Sequence, residues 1–337
     1  MVSETVNKKW VLKKRPEGYP SIDDFDIVNS PIPDPKHGEV LIKTLYLSLD
    51  PYMRGRLRDA KSYASPVGLG EVITGEVVGR VIRSNYQSLE VGDIVTAHIG
   101  WQQWGSIPGQ MVRKVDSQKP PISTSLGILG MPGLTAYFGL LEIGKPIVGE
   151  TLVVSAASGA VGAIVGQLGK MMGCRVIGTA GTNQKVNYIV DELGFDGAIN
   201  YKTQNVESEI HKLCPNGIDI YFDNVGGEVT DIVMNNLAMY ARIIICGQIS
   251  QYNSVGQEQG PRNLWALIRT RSKIQGMLVT DWERKHEQAR TRLSEWVLSE
   301  KLKYKEYVVE GFEKSPQAFI GLMNGENFGK LLIHVSE

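Results

Sequence analysis

The sequence predicts an α/β protein of two domains, one β-rich and one built on a doubly wound, six-stranded parallel sheet. Three observations carry this. The 337 residues exceed twice a typical domain, so each half can bury a core of its own. Up to about residue 125, short alternating runs such as EVLIKTLYLSLDP and GEVVGRVIRS are broken by Gly and Pro, which reads as antiparallel or barrel-like strands. From Thr151 onward, apolar runs alternate with helical segments, the pattern of a parallel sheet covered on both faces.

In order, the six strands are TLVVS from Thr151, CRVIGTAG (174–181), GAIN (197–200), IDIYFDNVGG (218–227), RIIICGQIS (242–250) and IQGMLV (274–279). The charged stretch DWERKHEQARTRLSEWVLSEKL follows as helix. YVVEGFEKSPQAFIGLMNGENFGKLLIHV then returns to strand and short helix and is expected to rejoin the first domain. The expected division is 1–126 with 308–337 as the β-rich catalytic domain, and 127–307 as the nucleotide-binding domain.

Charge and cysteine usage narrow the function. With 36 basic and 36 acidic residues, no net field draws in phosphate backbones or anionic lipid. Nucleic acid and membrane are unsupported as partners, and a small-molecule substrate is the better expectation. Cys174, Cys214 and Cys246 have no disulfide or Cys-x-x-Cys spacing, which fits a reducing cytoplasm. MVSETVNKKW lacks the design of a signal peptide. Residues 151–169 carry no charge, but their Gly and Ser content makes a poor membrane span and a good buried strand, turn and helix.

VVSAASGAVGAIVG (153–166) nearly matches the dinucleotide fingerprint G-x-G-x-x-G, with Ala157 in the first glycine position and Gly159 and Gly162 in the others. The strand before it and the expected helix from Ala160 to Met172, ended by Gly173, supply the context the motif needs. Gly159 lets backbone approach a pyrophosphate at the helix N-terminus, and Gly162 permits close helix-on-strand packing. Ala157 needs only a turn without positive φ. On the motif alone a plain buried strand-helix junction would be preferred; the strand-helix alternation that follows favours a cofactor turn.

The second strand addresses which cofactor. A site for NAD places Asp or Glu about 20 residues beyond the glycines to bind the ribose 2′-hydroxyl. No Asp or Glu occurs between Thr151 and Val190. Gly181, Thr182 and Lys185 instead offer backbone donors, a hydroxyl and a cation to a 2′-phosphate, so NADP(H) is expected. Lys185 alone would more often be a solvated helix lysine; the missing acid weighs more.

Several stretches together resemble a known family: SLDPYMRGR (48–56), AASGAVG, DNVGG (223–227), CGQISQYN (246–253), YKEYVVEGFE (304–313) and GENFGK (325–330). In order and over nearly the whole chain, they are similar to the zinc-independent double-bond reductases of the medium-chain dehydrogenase/reductase superfamily, which includes prostaglandin, alkenal and curcumin reductases. The resemblance implies a GroES-like β-rich catalytic domain beside a Rossmann domain, a homodimer, and NADPH-dependent reduction of a C=C bond conjugated to a carbonyl. It also implies cofactor contacts at Ala157, Gly159, Ala160, Val161 and Gly162, at Gly181, Thr182, Lys185 and Tyr201, at Asn224, Cys246, Gly247 and Ile249, at Leu278 and Val279 on the strand ending GMLV, and at Asn327. Tyr252 matches the family tyrosine near the nicotinamide ribose. Gln248 departs from the alanine common in relatives, which leaves the pocket's shape open. The first domain has no cysteine and only His37 and His98, and reads GLGEVITGEVVG where zinc members carry Gly-His-Glu, so no metal is expected.

The chemistry asks for one donor. Hydride adds to the β-carbon of an enone and charge develops on the carbonyl oxygen, which the Tyr252 phenol could stabilise. The alternative for Tyr252 is an amphipathic loop residue with its hydroxyl in water. Tyr52, Met53 and Arg54 are expected where the first domain faces the substrate. There Arg54 could attract a carboxylate or phosphate on a substrate, though an arginine after a tight Asp-Pro is more often a surface ion-pair partner. NSVGQEQGPRNLWALIRTRSK (253–273) is expected to be a mobile flap. Two other functions stay open: an NADPH quinone oxidoreductase, and a non-catalytic NADPH-binding protein.

Overall fold

The computed structural model describes residues 6–116, 120–256, 259–260 and 262–336. The chain forms two compact units, one of Met1–Leu126, Glu306–Asn327 and Leu331–Glu337, the other of Gly127–Lys305 and Phe328–Lys330.

The first unit starts with an antiparallel pair, β1 (Val6–Leu12) and β2 (Phe25–Pro31). It continues through β3 (Glu39–Ser48), β4 (Val77–Ser84), β5 (Ile94–Ala97), β6 (Trp104–Pro108) and β7 (Arg113–Lys114). The Gly- and Pro-punctuated alternation gives antiparallel strands, as expected: β3 pairs with both β4 and β6, β4 with β5, and β5 with β7. Trp101, fully buried, stacks on Phe25 at 5.9 Å and meets Phe319 edge-on at 5.6 Å.

The second unit holds β8 (Thr151–Val154), β9 (Arg175–Ala180), β10 (Gly197–Asn200), β11 (Ile218–Asp223), β12 (Leu237–Ile245) and β13 (Lys273–Gly276). They form one parallel sheet in the order β10-β9-β8-β11-β12-β13. The strand order reverses between β8 and β11, and ligands of such sheets bind at the carboxyl ends beside that reversal. β8 is buried along its whole length, which is why TLVV reads as a continuous apolar run. The helix Gly162–Met171 lies directly on the sheet because glycines line its inner face: a Cβ on Gly166 would stand 1.7 Å from Phe195, and one on Gly169 2.4 Å from Leu152.

Two strand boundaries differ from expectation. β12 begins at Leu237, five residues early, because Leu237 pairs with Ile218 before a register shift, with Tyr240 at φ +63°. β13 ends at Gly276, so Leu278 and Val279 lie beyond the sheet, at the start of the 3-10 turn Val279–Lys285. The charged stretch then forms the helix His286–Leu298.

β14 (Glu306–Glu310) and β15 (Lys330–His334) extend the antiparallel sheet, whose order is β14-β15-β3-β4-β5-β7. Among the described residues no helix is long and apolar enough to cross a membrane.

Candidate active site

After β8 the chain makes a tight turn. Ala156, not Ala157, takes the left-handed conformation, at φ +49°. Ala157 is fully buried and its N–H donates to Thr179 O at 2.9 Å, which is why alanine serves in the first glycine position. A Cβ on Gly162 would lie 2.4 Å from Ala156 O and 2.9 Å from Ala157 Cα, so only glycine fits. The helix starts at Gly162 rather than the expected Ala160; Ala160 and Val161 complete the turn, Gly159 O accepts the Ala163 N–H, and Val161 O accepts those of Ile164 and Val165.

Gly159 also pairs in a parallel bridge with Gly329, a contact not read from the sequence. Gly329 has φ +87°, and a Cβ there would meet Lys305 O at 2.2 Å. Phe328 beside it stands edge-on to Tyr188 at 4.9 Å, and Lys305 Nζ lies 4.3 Å from the Phe328 ring centre. The signal for it in the sequence is the FGK of GENFGK, directly after Asn327. Asn327, partly buried, belongs to the first unit.

At the end of β9, Thr182 caps the short helix Asn183–Asn187, its hydroxyl accepting the Lys185 N–H at 3.2 Å and keeping its own O–H to donate. A Cβ on Gly181 would stand 3.0 Å from the Tyr201 hydroxyl and 3.2 Å from Lys202 Cε. Burial, and then the charge of Lys202, hold the Lys185 ammonium below the usual lysine range. Lys202 was missed; its signal was its place directly after Tyr201 at the end of β10, the strand beside β9.

The ends of β11 and β12 form the other side. Asn224 donates its backbone N–H to Ser155 Oγ and its Nδ2 to Ser155 O, both at 2.8 Å, tying β11 to β8. Gly226 and Gly227 follow with φ +72° and +66°, conformations that account for the glycine pair in DNVGG. Cys246 and Gly247 donate their N–H groups to Asp223 O at 2.8 and 3.1 Å. Burial, then the Asp223 charge, push the Cys246 thiol well up, so it is a thiol rather than a nucleophilic thiolate. Ile249 opens the turn Ile249–Gln251 that Tyr252 closes. The Tyr252 hydroxyl accepts the Gln248 N–H at 3.4 Å and would stand 3.0 Å from a Cβ on Gly247. The phenol of the partly buried Tyr252 therefore turns back toward Gly247 at the sheet edge. Gln248 packs its side chain against Gly226, 3.2 Å from where a Cβ would be.

The structure thus brings Gly247, Asn224 and Tyr252 to one strand edge, and Gly181, Lys185 and Tyr201 to another. Leu278, 39% exposed, and Val279 stand past the end of β13 rather than on a strand. Of the expected flap, Gln257, Glu258 and Pro261 lie outside the described residues; Asn253 is buried and Trp265–Thr270 is helical.

Tyr52, Met53 and Arg54 form the short helix Tyr52–Arg56 of the first unit. Arg54 is not at the surface, as a surface ion pair would require. Fully buried, its Nη2 donates to Pro16 O at 3.2 Å and Gly18 O at 2.7 Å, so it holds a loop, and the buried Asp24 acts on its charge. Desolvation draws its pKa down to about 10. Met53 is fully buried as well, leaving Tyr52 as the partly exposed member. Burial, then Asp50, push the Tyr52 phenol up, so it is a neutral hydroxyl. His98 is exposed, and among the described residues no three His, Cys, Asp or Glu side chains converge to hold a metal.

Comparison with known proteins agrees with this architecture. Residues 8–115 match the family of the N-terminal domain of oxidoreductases, and residues 160–297 the family described as zinc-binding dehydrogenase. The chain is 49% identical to YfmJ of Bacillus subtilis over 97% of each chain. It is 44% identical to the NADPH-dependent curcumin reductase of Escherichia coli, over 98% of this chain and 97% of that one. The crystal structure of CurA from Vibrio vulnificus in complex with NADPH superposes with a TM-score of 0.94 at 46% identity, over 98% of this chain and 99% of that one. With its sheet order, its glycine turn and its relatives all in agreement, the chain belongs to the NADPH-dependent double-bond reductase family of the medium-chain dehydrogenase/reductase superfamily.

Proposed function

We propose that this protein uses NADPH to reduce the C=C bond of α,β-unsaturated aldehydes and ketones, adding hydride to the β-carbon. The observation that carries the reading is the Tyr252 phenol, turned back over Gly247 beside Asn224 at the carboxyl edge of the parallel sheet. Bound there, the cofactor supplies the hydride. The protein supplies position and a donor: Tyr252 O–H stabilises the enolate oxygen that forms as the double bond is reduced.

The residues fit the cofactor. The turn Ala157–Gly162 presents backbone rather than side chains where a pyrophosphate would lie, at the N-terminus of the helix Gly162–Met171. Gly181, Thr182, Lys185 and Tyr201, joined by Lys202, would hold the 2′-phosphate. Asn224, Cys246, Gly247, Ile249, Leu278, Val279 and Asn327 are assigned to the nicotinamide half, and Tyr52 to the substrate.

Three further parts belong to this reading. The reading includes no zinc, since residues 1–126 contain no cysteine and only His37 and His98 as histidines. A homodimer through β13 is supported by that edge strand, exposed at all four residues, with the exposed Trp265 and Ile268 on the nearby helix; sedimentation of the purified protein tests it. A cytoplasmic setting fits three free cysteines.

NADPH oxidation followed over a graded series of enals, enones and quinones tests the function. The expected result is turnover of enals and enones with NADPH well above that with NADH. Faster turnover of quinones, or a preference for NADH, would overturn it.

A further inference from the structure

Asp223, at the end of β11, is fully buried, and every hydrogen bond described to its carboxylate comes from a neutral donor. Oδ1 accepts from Ser155 Oγ and Tyr221 Oη at 3.0 Å and from the N–H groups of Val225 and Gly226 at 2.9 Å, and Oδ2 accepts from Thr230 Oγ1 at 2.8 Å. Four of the five donors face Oδ1, so an amide with its oxygen there would keep those bonds only in weaker, uncharged form and would turn its N–H2 group toward the Thr230 hydroxyl. Burying such a group is costly, and nothing in the packing of the sheet requires it at this position, since Phe222 and Ile220 beside it are apolar and equally buried.

What these bonds fix is the strand edge. The bonds from Val225 and Gly226 wrap the turn that sets Asn224 and the Gly226–Gly227 pair. The bond from Ser155 orients the hydroxyl that in turn accepts the Asn224 N–H at 2.8 Å. Asn224 Nδ2 is committed to Ser155 O, so the direction of its amide follows from the same network. Through its own carbonyl, Asp223 also receives Cys246 and Gly247, the residues under the Tyr252 phenol.

We propose that Asp223 is a positioning residue for the cofactor: its carboxylate locks the ends of β8 and β11 and the glycine turn after β11 into the arrangement that receives the nicotinamide half, without touching the cofactor itself. This assignment rests on the reading of the crevice as an NADPH site. Asp223 is a positioning residue in the strict sense, since its action passes through Ser155, Asn224 and the glycine turn. Loss of one charge-assisted bond of this kind corresponds to about tenfold in binding.

The test is fluorescence titration of NADPH with steady-state kinetics on wild type, Asp223→Asn and Thr230→Val. Asp223→Asn should raise Kd and KM for NADPH about tenfold or more while kcat at saturating NADPH stays within about threefold. Thr230→Val, which removes the donor outside the glycine turn, should change either constant by less than about threefold. A purely structural role would lower the fraction of folded enzyme and leave KM unchanged, and that result overturns the proposal. If Asp223→Asn does not fold, Ser155→Ala takes its place, with the same rise in KM expected and an unchanged KM overturning it. Wild-type protein that does not bind NADPH removes the functional reading and this assignment with it; wild-type binding with unaltered variants removes this assignment alone.

Discussion

The two ends of the crevice in the second unit share one address, the carboxyl edge of a parallel sheet, and use opposite physics. At the β9–β10 end, Lys185 and Lys202 hold two like charges together, with Tyr201 43% exposed. At the β11–β12 end, Asp223 and Tyr221 are fully buried in a closed set of neutral donors. On the proposed reading the first end would select by charge, which salt screens in part because Lys185 is only partly buried, and the second by geometry fixed before any ligand arrives. Discrimination between cofactors and alignment of the reaction would then be separable tasks on the same sheet.

The most severe way to break that separation is Tyr252→Phe. If the phenol is the donor to the enolate, kcat on the best enone should fall about 10²–10³-fold with NADPH affinity little changed. Retention of full kcat would show that the β12 end aligns without donating. Next in size is the double variant Lys185→Ala with Lys202→Ala. NADPH binding should weaken by roughly tenfold per lost cation while NADH binding barely moves, and the gap should narrow as salt rises. Equal losses for both nucleotides would place the phosphate elsewhere.

The smallest effect concerns the price the lysine pair exacts without cofactor. Lys185 has its pKa lowered by burial and by Lys202, so its charged form is less favoured in the folded chain than in the unfolded one. The unfolded chain holds that proton more tightly between the lowered value and the ordinary 10.5, so stability rises with pH across that window and the penalty is fully present below it. Lys202→Met should raise Tm slightly at neutral pH and low salt while weakening NADPH binding. A lower Tm would show that the pair does not repel.

The sheet and its glycine turn were legible because apolar runs, glycine spacing and the absence of acids between Thr151 and Val190 are local signals. The Tyr252, Asn224 and Gly247 neighbourhood was legible through motif resemblance. What stayed hidden depends on distant partners. Arg54 looks like any surface arginine until the carbonyls of Pro16 and Gly18 are folded onto it. Asp223 sits in an apolar strand, and the donor that ties it to β8, Ser155, lies 68 residues away in sequence. Lys202 lies in the turn after β10, the strand next to β9, outside the stretch in which a nucleotide-binding residue is usually sought. The end of β13 was misplaced because Met277, Leu278 and Val279 remain apolar after pairing with β12 has stopped.

The bridge between Gly159 and Gly329 sets an order of events during synthesis. A ribosome delivers all six strands of the parallel sheet before Phe328 leaves the exit tunnel, so the sheet can assemble while the glycine turn still lacks its neighbour. A nascent chain halted before residue 328 would carry all six strands of the sheet while Gly159 still lacked its bridge partner.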